Sequence, residues 1–541
     1  MPEISNIKIQ KRYNWSVIED TMFFLLIIWI GTSFMHNNLS NERNVLWGIV
    51  YNDCISNVLI MSSVYYIARL SFSINYRWSK FLFCFIICVL GVRELVFSIL
   101  QLIHGNDVLL GSIGNTGLLG GLLSIFICTI SITIIHTKNY IWLLLMIPFV
   151  ALIIITNSRA SWLCIIMAFI PFCMKYDTLK KFIISWRLPL LLIVFVLGTF
   201  SYLYKKQSAD ARLFMALMFL MNIFKVGFWG VGPGNYCGFY GQSLFDYFLH
   251  IKCDCSESSI ECVEKLSQDI INVGIPECSY NEIIRAYTEI GFVGTSLLLA
   301  ITLISFFRLY NRNDSLAFGF LALIVFSQFS FPGLIPLFCC LFAVFVAAGA
   351  SISADKKCLS VRPYLFIVPL LFTITFCNLI SRREINSDEY LHLEDSYKLG
   401  YNYDVSRIGE MLYEKGYASP AFLFMYGNSL AELGEYERSS EVIRHGMEVS
   451  ADPVFWRMLG NNSKNNGEYS LAEKHYLHSF IMAPNRFQPL LDLADLYYMI
   501  GDYDKLSQIY HCSLVLTPKV ENDKTRYIKN KVKAYQNVNN E

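Results

Sequence analysis

Charged residues are scarce in this chain of 541 residues, where Asp, Glu, Lys and Arg make up 16 % against about a quarter in soluble globular proteins. The two signs nearly cancel to a formal net charge of +1, so the charge balance gives no indication of a nucleic-acid partner. Hydrophobic residues instead reach 54 %, and the mean hydropathy is +0.42. These values exclude an ordinary soluble protein and predict an integral membrane protein.

Metal-type cysteine motifs are also missing from the one loop that is rich in cysteine. This loop contains Cys237, Cys253, Cys255, Cys262 and Cys278 but has no Cys-x-x-Cys pair. An odd number leaves one thiol over, and one or two disulfides are compatible with an oxidising compartment. Most other cysteines lie in apolar runs, where a free cysteine packs as a small hydrophobe. We therefore predict no metal and no cofactor.

Long apolar segments fill the first two thirds of the chain. A hydrocarbon core of about 30 Å is crossed by roughly 17 to 25 helical residues. The first segment follows basic residues, but Thr32-Ser33-Phe34-Met35 offers no small-x-small cleavage site, so we predict a retained span. Eleven spans are predicted in all, near residues 21–36, 45–69, 80–104, 116–136, 140–157, 160–174, 187–205, 284–308, 315–331, 333–351 and 363–381.

The short connections between these segments alternate in Lys and Arg content, which is the signal that sets orientation. One set of connections carries sixteen basic residues, whereas the other short turns carry only Arg43 and Arg159. The N-terminus is therefore predicted to be cytoplasmic. With eleven spans, the loop 206–283 and everything after residue 381 then lie outside the cytoplasm.

Charge rises beyond residue 383, and a repeat appears. Gly434, Gly467 and Gly501 recur at spacings of 33 and 34 residues, and each is followed two residues later by a tyrosine. This period, together with Ala472, Phe480 and Pro484, is typical of tetratricopeptide repeats with two helices per unit. Gly400 lies 34 residues before Gly434 and opens a degenerate first repeat. Such arrays present a curved surface, for which docking of an acceptor or of protein partners is expected, with structural capping as the alternative.

The sequence thus predicts an all-α protein in two domains. Residues 1–383 form a polytopic α-helical membrane domain with the external loop 206–283, and residues 384–541 form a tetratricopeptide-type solenoid.

Charged residues inside apolar segments need a structural or functional reason, because burying a charge in a membrane is costly. Arg93 and Glu94 lie in the third segment, where an interhelical ion pair is the simplest interpretation. Arg159 lies in a tight external turn beside small polar residues. It either extends toward lipid headgroups or binds an anion in a fixed position, and we favour the second interpretation.

The external loop contains an amphipathic stretch from Ala211 to Phe228, followed by the glycine-rich run Gly230-Val231-Gly232-Pro233-Gly234-Asn235. No strand precedes this run and no helix clearly follows it, so a dinucleotide-binding fold is rejected. Its backbone amides remain candidates for binding phosphate. The alternative is a sharp turn that returns the chain to the membrane.

The segment from Tyr280 to Gly291 opens the eighth predicted span. Its charged residues Glu282, Arg285 and Glu289 fall on one helical face, at positions i, i+3 and i+7. This face is predicted to look into the helical bundle or a cavity and not into lipid.

Four features in this order resemble the O-antigen ligase and O-antigen polymerase superfamily of bacterial envelope glycan transferases. They are Ile113-Gly114-Asn115, Ser158-Arg159-Ala160, Arg212 ahead of the glycine-rich turn, and the run from Asn281 to Gly291. The resemblance covers roughly residues 20–380.

The resemblance implies transfer of an undecaprenyl-diphosphate-linked glycan to lipid A core, to a growing polysaccharide or to protein, at the periplasmic face of the bacterial inner membrane. It implies that Arg159, Arg212, Gly232, Gly234 and Asn235 bind the donor diphosphate, a role that suits the forked guanidinium group. Glu289, Tyr280 and Asn281 would be the catalytic residues.

One residue departs from the family pattern, because members commonly have His-Asn where this chain has Tyr280-Asn281. A tyrosine, with an ordinary pKa of about 10, is a poor general base at neutral pH. Activation of the acceptor would then fall to Glu289, to Glu282 or to a loop residue such as His250. A non-enzymatic membrane-anchored repeat scaffold is the alternative function, and a transporter is disfavoured because the chain has no internally repeated halves.

Overall fold

The computed structural model describes residues 13–16, 18–37, 42–46, 49–105, 108–268, 274–276, 278–352, 358–361, 367–381, 387–517 and 521–540. The chain divides into two compact units. The first unit comprises Met1–Ser33, Cys54–Ala209 and Ser279–Ile380, and the second comprises Phe34–Asp53, Asp210–Cys278 and Ser381–Glu541.

The described residues are mostly helical, and the α-helices follow one another along the chain in a fixed order. They are α1 Glu19–Asn37, α2 Asp53–Ile74, α3 Tyr76–Ile103, α4 Thr116–His136, α5 Ile147–Thr156, α6 Arg159–Cys173, α7 Asp177–Ser185, α8 Arg187–Tyr204, α9 Lys206–Asn222, α10 Tyr236–Asp246, α11 Ile260–Ser267, α12 Glu282–Asn311, α13 Leu316–Phe326, α14 Pro336–Ile352, α15 Ile367–Ser381, α16 Ser387–Lys398, α17 Asn402–Glu414, α18 Pro420–Glu432, α19 Tyr436–Val449, α20 Val454–Asn465, α21 Tyr469–Met482, α22 Gln488–Ile500, α23 Tyr503–Val515 and α24 Asp523–Asn540.

Four short strands form two antiparallel pairs. Strand β1 (Tyr13–Ser16) pairs with β4 (Cys358–Val361), and β2 (Glu42–Leu46) pairs with β3 (Ile49–Asn52). The second pair occupies the start of the predicted span 45–69. That part of the prediction is wrong, because the helix begins only at Asp53.

Four helices in the described residues are long and apolar enough to cross a membrane: Asn57–Ile74 within α2, and α3, α4 and α12. The pair α6 and α7 passes the same test as one segment but bends by 117° between the two helices. Several other predicted spans correspond to shorter helices, such as the 10 residues of α5 and the 11 of α13. The number of eleven spans is therefore not confirmed, although a membrane protein is compatible with these helices.

Helix α4 occupies the centre of the first unit. It packs against α3, α5, α6 and α13, and most of its residues are buried. Hydrophobicity on all sides is what a helix surrounded by other helices requires. The helices around α4 thereby fix the positions of the turns at its ends.

Consecutive helices from α16 to α24 pack on each other in the second unit, and alternate helices (α16 with α18, α18 with α20, α20 with α22, and α22 with α24) are also in contact. The predicted repeat glycines lie between the two helices of a pair, with φ of +76° at Gly400, +84° at Gly434, +80° at Gly467 and +74° at Gly501. Left-handed glycine just after a helix is a common way to end it. The two-helix period read from the sequence is therefore present in the structure.

Helices α10 and α11, from the loop 206–283, pack on these C-terminal helices. Helix α10 contacts α19 and α21, and α11 contacts α21 and α23. The compact units therefore differ from the predicted domain boundary, which grouped the loop 206–283 with residues 1–383. The difference arises because these loop helices bury their apolar faces on helices far along the chain.

Candidate functional site

The segment that opens α12 is fixed by an asparagine cap. Asn281 Oδ1 accepts hydrogen bonds from the backbone N–H groups of Ile283 (2.9 Å) and Ile284 (3.0 Å). Its Nδ2 donates to the carbonyl oxygen of Gln328 at 3.3 Å, and Glu282 N donates to Ser327 O at 2.9 Å. Asparagine is a favoured N-cap because its side chain replaces the missing helical acceptor. The geometry of Asn281 therefore gives it a positioning role.

The three charged residues of α12 form one network. Arg285 donates from Nε and Nη2 to Glu282 Oε2 at 2.9 and 2.6 Å, and from Nη1 to Glu289 Oε2 at 2.9 Å. Glu282 Oε1 also accepts from the N–H of Gly333 at 2.8 Å. The three side chains are 6 to 13 % exposed. The predicted shared face is confirmed, and it points into the protein.

Helix α12 breaks just after this network. Gly291 has φ +67° and ψ −173°, a conformation that is essentially restricted to glycine. Two α1 side chains bond carbonyl groups before the break: Trp29 Nε1 donates to Ile290 O at 2.8 Å, and Ser33 Oγ donates to Glu289 O at 3.2 Å. The Glu-x-Gly sequence thus places a buried carboxylate at a kink in a helix long enough to span a membrane.

Tyr280 precedes this helix and is 37 % exposed. Its ring lies edge-on to Phe331, with 5.7 Å between centroids. Glu282 and Glu289 are less exposed than Tyr280 and both bond Arg285. Of the residues considered for activation of an acceptor, Tyr280 is thus near the surface, whereas the glutamates belong to the buried network.

Arg159 is the first residue of α6. Its neighbours are held tightly: Ser161 Oγ donates to Ser158 Oγ at 2.7 Å, and Ser124 Oγ of α4 donates to Ser161 O at 3.2 Å. Asn157 before the turn has a left-handed φ of +52°. A cation at a helix N-terminus is disfavoured by the helix dipole. An anion near Arg159 would interact favourably with both the guanidinium and the helix terminus.

The turn before α4, which contains Ile113-Gly114-Asn115, has its own support. Asn115 caps α4 by accepting from Gly117 N (2.8 Å) and Leu118 N (3.1 Å). Buried Glu94 accepts from the backbone N–H of Ser112 at 2.8 Å and from its hydroxyl group. Arg93 Nε lies 4.0 Å from Glu94 on the same helix, and within the described part of the chain neither residue forms the predicted interhelical ion pair. Glu94 instead fixes a loop, which its position inside an apolar segment could not reveal.

The glycine-rich turn belongs to the second unit, as does Arg212 on α9. Gly230, Gly232 and Gly234 have φ of +80°, +97° and +90°, which explains their alternation, because other residues are strained in this region. Asn235 N donates to Gly232 O at 3.2 Å, and Asn235 Nδ2 donates to Val231 O at 3.0 Å. Helix α10 begins directly after the turn. The expectation that no helix clearly follows was wrong.

The loop and the C-terminal helices meet in a stack of three rings. Phe245 of α10 lies parallel to His478 of α21 with centroids 3.4 Å apart, and His478 lies parallel to Trp456 of α20 at 3.5 Å. Burial, reinforced by the nearby His475 and Lys474, lowers the pKa of His478 well below its ordinary value. The stack therefore contains a neutral imidazole at physiological pH.

Close backbone contact accompanies this stack. A Cβ atom at Gly238 of α10 would overlap the carbonyl oxygen of Glu448 at the end of α19. Only glycine permits this approach. Shape complementarity as well as ring contacts therefore holds the loop helices against the C-terminal helices.

The loop cysteines Cys253, Cys255 and Cys262 carry free thiols. Cys253 Sγ donates to the carbonyl oxygen of Cys262 at 3.7 Å, and burial raises the pKa of Cys253 to about 12. Within the described residues, no group of three or more His, Cys, Asp or Glu side chains has the arrangement of a metal site.

The predicted site residues thus fall in two groups. Arg159, Tyr280, Asn281 and Glu289 belong to the first unit, whereas Arg212, Gly232, Gly234 and Asn235 belong to the second. Trp29, Ser33 and Gly333, which the sequence prediction did not include, bond Ile290, Glu289 and Glu282 and so support the start of α12. No protein-family model matches the chain, and no curated protein matches it at a significant level.

Proposed function

We propose that the chain is a membrane glycosyltransferase that resembles O-antigen ligases and polymerases and moves an undecaprenyl-diphosphate-linked oligosaccharide to an acceptor. The observation that carries this proposal is the network of buried Glu289 with the mostly shielded Arg285 and Glu282 beside the kink at Gly291. Several charged groups inside a helix that can span a membrane are costly, and such groups usually mark a functional site. The acceptor would be lipid A core, a growing polysaccharide or protein.

The donor diphosphate would be bound by arginine. Arg159 lies at the N-terminus of α6, where its guanidinium and the helix N–H groups would both favour an anion. Arg212 and the turn with Gly232, Gly234 and Asn235 are also proposed to bind the diphosphate, as the resemblance implies. Guanidinium groups would stabilise the negative charge that develops on the leaving diphosphate.

The reaction would be a single displacement at the anomeric carbon. The acceptor hydroxyl oxygen forms a bond to this carbon while the bond from the carbon to the diphosphate oxygen breaks, and its electron pair leaves with undecaprenyl diphosphate. The hydroxyl proton passes to a carboxylate, for which Glu289 is the leading candidate. Arg285 and Asn281 would hold Glu289 and the start of α12 in position, and exposed Tyr280 would contact the acceptor.

The finer architecture is part of the same proposal. About eleven spans with a cytoplasmic N-terminus would place the loop 206–283 and the C-terminal helices in the periplasm of a bacterium. The left-handed glycines and the two-helix period of α16 to α24 support tetratricopeptide repeats in this region. Repeats with this architecture would also offer a surface to protein partners.

Glycan transfer by matched arginine variants tests the proposal. A strain from which the gene has been deleted is complemented with wild type, Arg159→Ala or Arg187→Ala at equal expression. Arg187 is a suitable control because it is also the first residue of an apolar helix but is exposed and lies on the predicted cytoplasmic side. We expect Arg159→Ala to lower transfer roughly 100-fold or more, as loss of a transition-state donor does, and Arg187→Ala to retain it.

The readout separates the two candidate functions. Loss of a surface glycan band with accumulation of its lipid-linked precursor supports the transferase, and the missing band identifies the acceptor. Unchanged glycans in the deletion strain would rule out the transferase and favour the non-enzymatic repeat scaffold.

A further inference from the structure

A cavity of about 300 Å³ lies in the second unit between the glycine-rich turn and the helices α19 to α21. Its wall contains Asn235 from the turn, Phe239 and Gln242 from α10, Glu448 and Asp452 around the end of α19, and Trp456 from α20. This volume is at the lower end of the range of about 300–1,000 Å³ for small-molecule sites. It has room for a small part of a larger ligand.

The polar atoms in this wall are mostly hydrogen-bond acceptors. Asn235 is 2 % exposed, and its Oδ1 has no hydrogen-bond partner among the residues that the structure describes, although its Nδ2 is bonded. Glu448 and Asp452 contribute carboxylates. An unsatisfied buried acceptor is costly and is usually matched by a donor. The complementary ligand should therefore present hydrogen-bond donors.

Charge excludes a phosphate from the same cavity. The wall residues, all from the described part of the chain, include two carboxylates and no lysine or arginine. Arg486, which bonds Asp452 at 3.1 Å, is not part of the wall. A diphosphate would thus be repelled from the cavity itself, so the diphosphate assigned to the turn would have to bind outside the cavity. A neutral ligand rich in hydroxyl groups would not be repelled.

The aromatic part of the wall is held rigidly. Trp456 is fixed by its stack on His478, which in turn stacks on Phe245. A rigid indole offers an apolar plane on which the C–H face of a sugar ring can pack, while planar amide and carboxylate groups bond its hydroxyls. Trp456, Asn235, Gln242 and Glu448 together provide both kinds of contact.

We propose that this cavity is a saccharide-binding subsite, formed jointly by the external loop and the C-terminal helices. The inference rests on the proposed transferase function and deepens it, because the subsite would hold a sugar of the glycan next to the turn assigned to the donor. The sugar belongs either to the lipid-linked donor or to the acceptor. The C-terminal helices then complete a substrate site in the same chain, in addition to any partner that they bind.

Binding to the purified full-length protein tests this subsite. The probes are fluorescent oligosaccharides released by mild acid from the lipid-linked pool of the producing strain, and oligosaccharides released from the finished surface glycan, both measured by fluorescence polarisation. We expect Asn235→Ala and Glu448→Gln each to weaken binding about tenfold or more, because each loses an acceptor oxygen in the wall of the cavity. Glu437→Gln is the matched control, since Glu437 is an exposed glutamate on the same helix outside the cavity.

Competition identifies the ligand class and the source of the sugar. Preference for the first probe assigns the subsite to the donor glycan, and preference for the second assigns it to the acceptor. Equal binding by wild type and both cavity variants overturns the inference. The inference also fails if inorganic diphosphate or a lysine-rich peptide displaces the probes at a lower concentration than unlabelled glycan does. Thermal unfolding of each variant is measured in parallel to detect a folding defect. If Asn235→Ala fails to fold, the milder Asn235→Ser takes its place.

Transfer assays on the same variants separate the two proposals. If glycan binding depends on the cavity but the protein has no transfer activity, the subsite proposal stands and the transferase proposal is rejected. Transfer activity that is identical in wild type and in Glu448→Gln, whose residue has no part in the proposed donor site, would retain the enzyme and reject the subsite.

Discussion

Arg285 in the first unit and Arg438 in the second each bond two glutamates, and in both cases one of these lies three residues earlier on the chain. Arg285 is 13 % exposed and its partners Glu282 and Glu289 are 13 and 6 % exposed, whereas Arg438, Glu435 and Glu410 are 45, 38 and 53 % exposed. The chemical groups are the same but the surroundings are not. Exposed pairs contribute little because water competes for both charges, whereas removing one member of a buried pair strands the other.

The comparison indicates where function should be sought. Water can solvate the charges of an exposed network, so losing one of them changes stability little, and Arg438 needs no functional explanation. The Arg285 network is kept in a costly position beside the kink of α12, and this is why it supports a catalytic role. The predictions below test the comparison, beginning with the largest expected effect.

Replacing Arg285 alone should cause the greatest loss of stability. Arg285→Met leaves Glu282 and Glu289 buried without their common cation, which costs about 3–5 kcal/mol. The apparent free energy of unfolding, measured by denaturant titration of the protein in detergent, checks this value. Glycan transfer should be lost in the same variant.

A neutral triple variant separates stability from chemistry. Combining Glu282→Gln, Arg285→Met and Glu289→Gln removes all three charges, and we expect most of the stability to return without transfer activity. If the triple variant is no more stable than Arg285→Met, the unpaired carboxylates are not the cause of the instability of Arg285→Met.

The kink of α12 should be the next most sensitive feature. Gly291→Ala forces a Cβ into the backbone conformation φ +67°, ψ −173°, which costs about 1–3 kcal/mol. Transfer should fall as well, because Glu289 lies at the end of the segment before the kink. Thermal unfolding and transfer are measured together.

Gly198→Ala is the control for this substitution. Gly198 lies inside the apolar helix α8, and a Cβ there would meet no described atom within 4 Å other than the backbone of its own helix. Alanine favours helix more than glycine does, so Gly198→Ala should be neutral or stabilising. Equal effects at the two positions would contradict the role assigned to the kink.

The comparison also explains which features the sequence could predict. The shared face of Glu282, Arg285 and Glu289 follows from the helical period alone, and the left-handed Gly434, Gly467 and Gly501 follow from a repeated local turn. These are local properties, which neighbouring residues determine. Their positions are as expected in the structure.

Features that depend on distant residues were not predicted. Gly238 follows the glycine-rich turn in sequence, but its contact with Glu448 joins segments separated by about two hundred residues, a distance that no local pattern reports. Hydropathy likewise did not reveal the left-handed conformation of Asn157 at the turn between two predicted spans, or that Glu94 accepts a hydrogen bond from Ser112. Both features depend on how segments pack, which an apolar run in the sequence does not report.

Protonation of the ring stack should have a smaller effect that depends on pH. Burial lowers the pKa of His478 below its ordinary value of about 6.5, so the folded protein binds fewer protons than the unfolded one. The stability that neutral His478 contributes is fully present above its ordinary pKa. It is lost as the pH falls from that value toward the lower pKa of the folded protein. One such group contributes a slope of at most about 1.4 kcal/mol per pH unit.

A phenyl ring in place of the imidazole isolates this contribution. His478→Phe keeps an aromatic ring between Phe245 and Trp456, and the difference from wild type cancels the titration of other groups. These include His475, whose pKa is lowered to about 4 by burial and by nearby Arg444 and Lys474. Thermal unfolding from pH 7.5 to about 5 should decline less steeply in the variant. Parallel curves would mean that His478 does not titrate with unfolding.

Removing the exposed arginine should have the smallest effect. Arg438→Ala breaks bonds of 2.5 Å to Glu435 and 2.8 Å to Glu410, but water can solvate both carboxylates. The expected loss is below about 1 kcal/mol, several times less than for Arg285→Met. A double-mutant cycle with Glu435→Ala, measured by denaturant titration, gives the coupling energy of the closer pair.

Salt sharpens this last test, because screening acts on exposed charges much more than on buried ones. Raising the ionic strength from 0.1 to about 1 M shortens the Debye length from about 10 to 3 Å, so the coupling between Arg438 and Glu435 should fall toward zero. The effect of Arg285→Met should change little over the same range. If the two arginines responded alike to salt, burial would not be the property that distinguishes them, and the argument that links the Arg285 network to function would lose its physical basis.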